Sequence, residues 1–181
     1  MSYSKTALDQ LEVGQIDDYK ESLEKALAND SDDMLYSLAE EVYSLGFSKD
    51  ASTIYEHLAQ KYPEDDGLKI NLAELAIDDD HDDQALNYLS QVAPDSDEYV
   101  RSLMVAADLY QTQGMFEISE QKLLAAQKLA PDEDVIKFAL AEFYFTTRNY
   151  RKAINLYLDL IKSGTLEMPS LIHISDPTKP Y

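Results

Sequence analysis

The sequence repeats itself with a period of 34 residues, and this period limits the folds open to the chain more than any other feature. Leu38-Ala39 recurs as Leu72-Ala73 one period later, and as Leu140-Ala141 two periods after that. Three further rows keep the same spacing: Ala51, Ala85, Ser119 and Ala153; Tyr55, Leu89, Leu123 and Tyr157; Leu58, Val92, Ala126 and Leu160. Independent rows that share one period predict an array of stacked structural repeats.

Within each copy the apolar residues are spaced as on one face of a helix. In the first full copy a stripe with i, i+3, i+4, i+7 spacing is formed by Leu35, Leu38, Ala39 and Val42. A break at Gly46 separates it from a second stripe, which ends at Pro63. The unit is therefore predicted to be a helix–turn–helix hairpin, and the low content of 5 Gly and 6 Pro also favours helices over a many-stranded sandwich.

These features resemble the tetratricopeptide repeat, a 34-residue helical hairpin with small residues at its eighth and twentieth places and a closing proline. The copy at 100–133 matches best, with Ala107, Tyr110, Gly114, Ala126 and Pro131. The resemblance implies an all-α, right-handed superhelical solenoid of antiparallel helix pairs whose concave face binds proteins.

The register divides the chain into one degenerate N-terminal copy, four full copies and a tail, at 1–31, 32–65, 66–99, 100–133, 134–167 and 168–181. Pro94 comes three places early in its copy, which predicts a short second helix there. Arg148 stands where a turn glycine is expected.

The tail holds half of the prolines, so we expect it to be poorly ordered or an incomplete cap. Leu156, Leu160 and Ile161 would then be partly exposed, and the chain would self-associate through this end or form part of a longer array.

The net charge is −20, from 35 acidic and 15 basic side chains, which disfavours nucleic acids and anionic membranes as partners. No segment approaches the ~18 apolar residues of a membrane span. The absence of cysteine excludes disulfides and thiolate metal sites, and it fits a reducing compartment, so we expect a cytoplasmic protein.

Part of the acidity has a structural explanation. The loops that precede the first helices carry acids that we expect to cap those helices, among them Asp30, Asp32, Asp65, Asp66 and Asp134. The run from Asp78 to Asp83 lacks the glycine and glutamate of a calcium loop, so a solvated turn is favoured over a metal site.

The repeat register also predicts which residues line the concave groove. In the family the fifth, ninth and twelfth places point into it. The fifth places are Tyr36, Ile70, Met104 and Phe138; the ninth are Glu40, Glu74, Asp108 and Glu142; the twelfth are Tyr43, Ile77, Gln111 and Phe145. We expect a column of four carboxylates between two largely apolar columns, unless the apolar places simply pack between helices.

This pattern predicts a scaffold or adaptor that binds a basic, amphipathic segment, and no metal or other cofactor. An acidic peptide tail, which some family members hold with basic residues, would be repelled, because Arg101 is the only basic residue in a suitable place. No phosphate loop, HExxH motif, nucleophile elbow or cysteine supports catalysis. A structural or oligomerisation module and a small-ligand or catalytic role are the alternatives.

Overall fold

The computed structural model describes residues 2–165, which form ten helices packed in adjacent pairs, so the all-α prediction is confirmed. The predicted tail at 168–181 lies outside the described residues. The helices are α1 Tyr3–Glu12, α2 Ile16–Asn29, α3 Asp32–Ser44, α4 Ser48–Lys61, α5 Asp66–Asp78, α6 Asp82–Ser90, α7 Tyr99–Thr112, α8 Phe116–Leu129, α9 Asp134–Thr146 and α10 Tyr150–Lys162. The nine-residue α6 is the short helix that Pro94 predicted.

The chain forms two compact units, one up to Val105 and one from Ala106 onwards, and the boundary falls within α7. In the first unit, α1 packs on α2 and α3, α3 on α4, α4 on α5, and α5 on α6. Its core contains Tyr19, Leu35, Val42, Ile54 and Leu58, all with no more than 1% exposure. These residues face inwards because each helix carries one apolar stripe.

In the second unit, α8 packs on α9 and α9 on α10. Ile136, Leu140 and Leu160 are fully or almost fully buried. The expectation that Leu160 would be partly exposed is therefore wrong, because this side of α10 packs on α9. Leu156 and Ile161 are half-buried, which agrees with the expectation for them, and α10 also exposes Tyr150, Ile154 and Leu158.

One row of small residues in the 34-residue repeat is buried on the second helices. Ala51, Ala85, Ser119 and Ala153 all have at most 1% exposure, each on the second helix of its pair. A larger side chain at these places would push the paired helices apart. One of the rows that indicated the repeat is thus a row of buried small residues on which helix packing depends.

Asp32, Asp66 and Asp134 lie in first helical turns as predicted, but most of the loop acids direct their side-chain bonds elsewhere. Asp65 does cap its own helix, accepting from the Leu68 amide at 3.1 Å. The other predicted capping acids contact residues 26–31 positions away: Asp30 with Ser2, Tyr3 and Ser4, Asp32 with Lys61 and Tyr62, Asp66 with Ala93, and Asp134 with Ser163 and Thr165. A helix hairpin brings its two ends together, so these carboxylates connect the ends of a pair.

Candidate functional site

The predicted groove residues of the first unit differ in how accessible they are. At the fifth place, Tyr36 is half-buried, its ring 6.0 Å from that of Tyr55 and its hydroxyl donating to Asp65 at 3.1 Å. Ile70 is fully buried and so contributes no accessible surface, while Met104 is half-buried. At the twelfth place Tyr43 is 44% exposed and Ile77 is half-buried. The apolar column of fifth-place residues is therefore interrupted at α5, where Ile70 is not accessible.

The ninth-place acids of the first unit converge on one tyrosine. Tyr55 lies on α4, and its pKa is raised mainly by burial and then by the negative charges of Glu40 and Glu74, which lie on α3 and α5. The hydroxyl of Tyr43 donates to Asp78, and this bond, with burial and the charge of Asp78, raises the pKa of Tyr43 to about 12. The accessible members of this group are called the α3–α5 surface below: Glu40, Tyr43, Glu74 and Asp78. Tyr55 itself is only 6% exposed.

Arg101, on α7, contacts this surface through Glu74, and the groove prediction did not include it. Its Nη2 donates to Glu74 Oε2 at 2.7 Å and to Asn71 Oδ1 at 3.0 Å, and its Nη1 lies 3.7 Å from Glu98 Oε2. Sequence reasoning noted Arg101 only as a candidate for holding a carboxylate. Glu98 is a local partner three positions away, but the pairing with Glu74, 27 positions away, depends on helix packing, which the register alone does not specify.

In the second unit, the predicted residues form a similar group. The Phe138 ring lies 6.3 Å from that of Tyr157, whose hydroxyl donates to Glu142. Burial and the Glu142 carboxylate raise the pKa of Tyr157 to about 12. Phe145 is 57% exposed, with its ring 5.7 Å from Tyr150. Asp108 is exposed and Gln111 is half-buried.

The same side-chain arrangement therefore occurs once in each unit. An aromatic fifth place packs edge-on against a tyrosine of the second helix, and that tyrosine lies near the ninth-place acid. The two sets are Tyr36, Glu40 and Tyr55, and Phe138, Glu142 and Tyr157, three periods apart. Period and contact geometry agree at these positions.

Acidic residues of the turn between α5 and α6 accept hydrogen bonds from side chains on neighbouring helices. Asp78 accepts from Tyr43, Asp79 accepts from the Ser48 hydroxyl at 2.8 Å, and Asp80 adopts a left-handed backbone. Within residues 2–165, no group of three or more acidic or histidine side chains is arranged to hold a metal ion. The part of the chain that the structure describes also contains no helix long and apolar enough to span a bilayer.

Sequence reasoning gave no indication of a cavity of about 580 Å³ between α1 and α3 in the first unit. Its apolar wall is formed by Leu8, Met34 and Leu38. A smaller, more polar cleft of about 240 Å³ lies between α4, α5 and α6. The α1 side of the larger cavity belongs to the degenerate copy, where the register is weakest.

Comparison with known proteins finds tetratricopeptide repeat families along the chain. Residues 4–114 match the family model described as tetratricopeptide repeat protein 21 ARM repeat, and residues 111–165 match the model described as YpiA-like, tetratricopeptide repeats. The chain is 36% identical over 151 residues to the TPR repeat-containing protein YpiA of Bacillus subtilis strain 168. That match covers 83% of this chain and 36% of the relative, so the chain spans about a third of its length.

Solved structures show the same fold at lower sequence identity. A tetratricopeptide repeat protein from Parabacteroides merdae ATCC 43184 matches with a TM-score of 0.68 and 18% identity, over 88% of this chain and 63% of that one. Pseudomonas aeruginosa pilF matches with a TM-score of 0.65 and 19% identity, over 92% of this chain and 76% of that one. The 34-residue period, the paired helices and a family model that matches more than half of the residues lead to one conclusion: the chain belongs to the tetratricopeptide repeat family.

Proposed function

We propose that this protein is a non-catalytic scaffold that binds a basic, amphipathic segment of a partner protein. Tetratricopeptide repeat proteins generally mediate protein interactions, and the acidic composition selects for a cationic ligand. The proposal includes a cytoplasmic location and the expected division of the chain into 34-residue repeats.

The observation that carries the proposal is the exposed Tyr43, whose hydroxyl donates to Asp78, on the two helices that also carry the ninth-place acids Glu40 and Glu74. Two carboxylates from neighbouring first helices, beside the exposed ring of Tyr43, offer both charge and apolar area to a ligand. Lys or Arg side chains would be steered towards the acids, while apolar groups cover the ring and supply more of the affinity. Phe138, Glu142 and Phe145 offer the same chemistry in the second unit.

Arg101 supports a cationic ligand and also opposes its binding. Its guanidinium already binds Glu74 at 2.7 Å, which is the contact that a ligand arginine would make. The pair is solvent-exposed, with side-chain exposures of 42% and 43%, so it is weak and exchangeable. A ligand cation must share Glu74 with Arg101 or displace Arg101 from it. Competition from Arg101 therefore weakens the binding of the ligand.

The test is fluorescence anisotropy with a labelled amphipathic Leu–Lys peptide, and with a Leu–Glu peptide of the same pattern. The double variant Glu40→Lys/Glu74→Lys should weaken Leu–Lys binding about tenfold or more, because two attractive contacts become repulsive. Arg101→Gln should strengthen it about threefold, since an exposed pair contributes below ~1 kcal/mol.

The matched control is Glu24→Lys/Glu56→Lys, which changes the net charge equally at exposed positions on second helices. Circular dichroism checks that helicity is retained in each variant. Equal weakening by both double variants would show that net charge alone attracts the peptide, and the α3–α5 surface would then not be the binding site. Equal affinity for the Leu–Glu peptide would rule out the predicted ligand chemistry.

Self-association is a second candidate function, because Ile154 and Leu158 lie one helical turn apart on α10 and are 56% and 46% exposed. An apolar pair on one helix face is a common feature of interfaces between proteins. Sedimentation velocity over a range of concentrations distinguishes the two functions. If the mass stays that of a monomer and the monomer binds the Leu–Lys peptide stoichiometrically, self-association is excluded.

A further inference from the structure

The cavity between α1 and α3 combines apolar walls with an acidic rim. Leu38 forms a buried wall at 3% exposure, while Met34 remains 46% exposed and Leu8 is half-buried. Asp9, Asp33 and Glu41 line the same cavity, and all three are exposed. A ligand that enters it therefore meets aliphatic carbon inside and carboxylates at the opening.

Apart from the exposed Ser37 hydroxyl, the other polar groups at the cavity offer little to an anionic ligand. The hydroxyls of Ser2 and Ser4 donate to Asp30 at 2.8 and 2.6 Å, so their protons are already engaged. Lys5 is the one cation among the lining residues, against three carboxylates on the rim. The charge of the opening is thus complementary to a cationic ligand.

The volume and the side-chain types suit large apolar groups. About 580 Å³ lies within the ~300–1,000 Å³ range of pockets that enclose most of a small ligand. Met34 has a flexible, polarisable side chain that can adapt to the shape of a bound group. Its exposure leaves apolar area that the fold does not cover.

We propose that this cavity is the anchoring pocket for the basic segment: large apolar side chains of the partner enter against Leu8, Met34 and Leu38, and flanking Lys or Arg residues pair with Asp33 and Glu41. This rests on the proposed function, and names where the partner's apolar groups bind. Glu41 follows Glu40 directly on α3, so this pocket and the α3–α5 surface share one helix.

The test uses the full chain with the Leu–Lys peptide, and with a Gln–Lys peptide in which each Leu is replaced. Met34→Gln should weaken Leu–Lys binding about fivefold to tenfold, because it removes apolar contact area without altering charge. Met115→Gln is the matched control, since Met115 is 48% exposed in the second unit, and it should change affinity by less than about twofold. Neither variant should alter the weaker binding of the Gln–Lys peptide.

A second readout follows the methionine methyl groups by NMR in protein labelled at its 5 methionines. Addition of Leu–Lys peptide should shift the Met34 methyl resonance and leave that of Met115 in place. If the peptide binds and is lost on Glu40→Lys/Glu74→Lys, yet Met34→Gln binds it normally and the Met34 methyl does not shift, the pocket assignment is wrong and the proposed function stands.

Two other results also overturn the assignment. If wild-type protein binds neither cationic peptide, the proposed function and the pocket both fail. If Met34→Gln abolishes a concentration-dependent rise in sedimenting mass and leaves peptide affinity unchanged, the occupant is a second copy of this chain instead of a basic partner.

Discussion

At the scale of single residues, the acidic side chains within the described part of the chain most often accept hydrogen bonds from hydroxyl groups. Tyrosines in both units donate to carboxylates on other helices or, for Asp65, at a helix N-cap: Tyr19 to Asp50, Tyr36 to Asp65, Tyr43 to Asp78, Tyr144 to Glu120 and Tyr157 to Glu142. A neutral donor stabilises a carboxylate without needing a base, which suits a chain with few bases. Many of the acids are therefore structural.

Asp30 is the clearest of these structural acids. Burial opposes its ionisation, but the Ser4 hydroxyl and amide, the Ser2 hydroxyl and the Tyr3 amide all donate to it, and together they lower its pKa. Its charge also lies at the positive end of the α1 dipole. The ionised form thus attaches α1 to the end of α2.

We predict that Asp30→Asn lowers the free energy of unfolding by about 1–2 kcal/mol at neutral pH, because an amide cannot accept all of these bonds. Since the folded-state pKa is depressed, the contribution is fully present above about pH 4 and is lost as the pH falls through the folded value. The difference from wild type in urea unfolding should therefore shrink at about pH 3. Glu24→Gln, at an exposed site on α2, is the control; a difference that stays constant with pH would contradict the prediction.

At the scale of the helix pair, one turn geometry recurs in all four full copies. The amides of Phe47, His81, Met115 and Asn149 each donate to the carbonyl five residues earlier, at 2.7–2.9 Å. The preceding residue has a positive φ each time: Gly46 at 88°, Asp80 at 59°, Gly114 at 75° and Arg148 at 63°. This is a Schellman motif, and it requires a left-handed residue at that place.

We predict that Arg148→Gly raises the free energy of unfolding by about 0.5–1 kcal/mol, because glycine adopts the left-handed backbone without strain. The larger loss of chain entropy by glycine opposes this gain but offsets only part of it. Gly114→Ala should lower it by about 1–2 kcal/mol. A Cβ at Gly114 meets no atom within 4 Å, so this loss measures backbone strain alone. Thermal and urea unfolding of both variants are the measurements, and a neutral Gly114→Ala would show that the turn tolerates either geometry.

At the scale of the whole molecule, the net charge of −20 opposes the compact state and favours binding of cations. Ion pairs within the described residues neutralise only some acids, as Lys61 does for Asp32 and Lys152 for Glu120. The remaining repulsion is long-ranged and therefore sensitive to ionic strength. A bound basic segment would relieve it.

We predict that added NaCl raises the urea midpoint of the free protein and weakens its complex with the Leu–Lys peptide, because the screening length falls from ~30 Å at 0.01 M to ~3 Å at 1 M. The two responses have opposite signs, which separates self-repulsion from ligand attraction. Near the isoelectric point of about 4.2, the stabilising effect should vanish. A midpoint that falls with salt at neutral pH would mean that specific ion pairs outweigh the net repulsion.

The sequence by itself determined the paired helices, the places of the small buried residues, the short α6 and the turn at Arg148. Each depends on period or local backbone geometry, which repeats along the chain. Only the tertiary structure decided how individual acids are used: Glu74 pairs with Arg101, Glu142 accepts from Tyr157, and Ile70 is buried although Phe138 at the same repeat place is 42% exposed. These outcomes depend on side chains that packing brings together from distant parts of the sequence, and those neighbours change from copy to copy while the period does not.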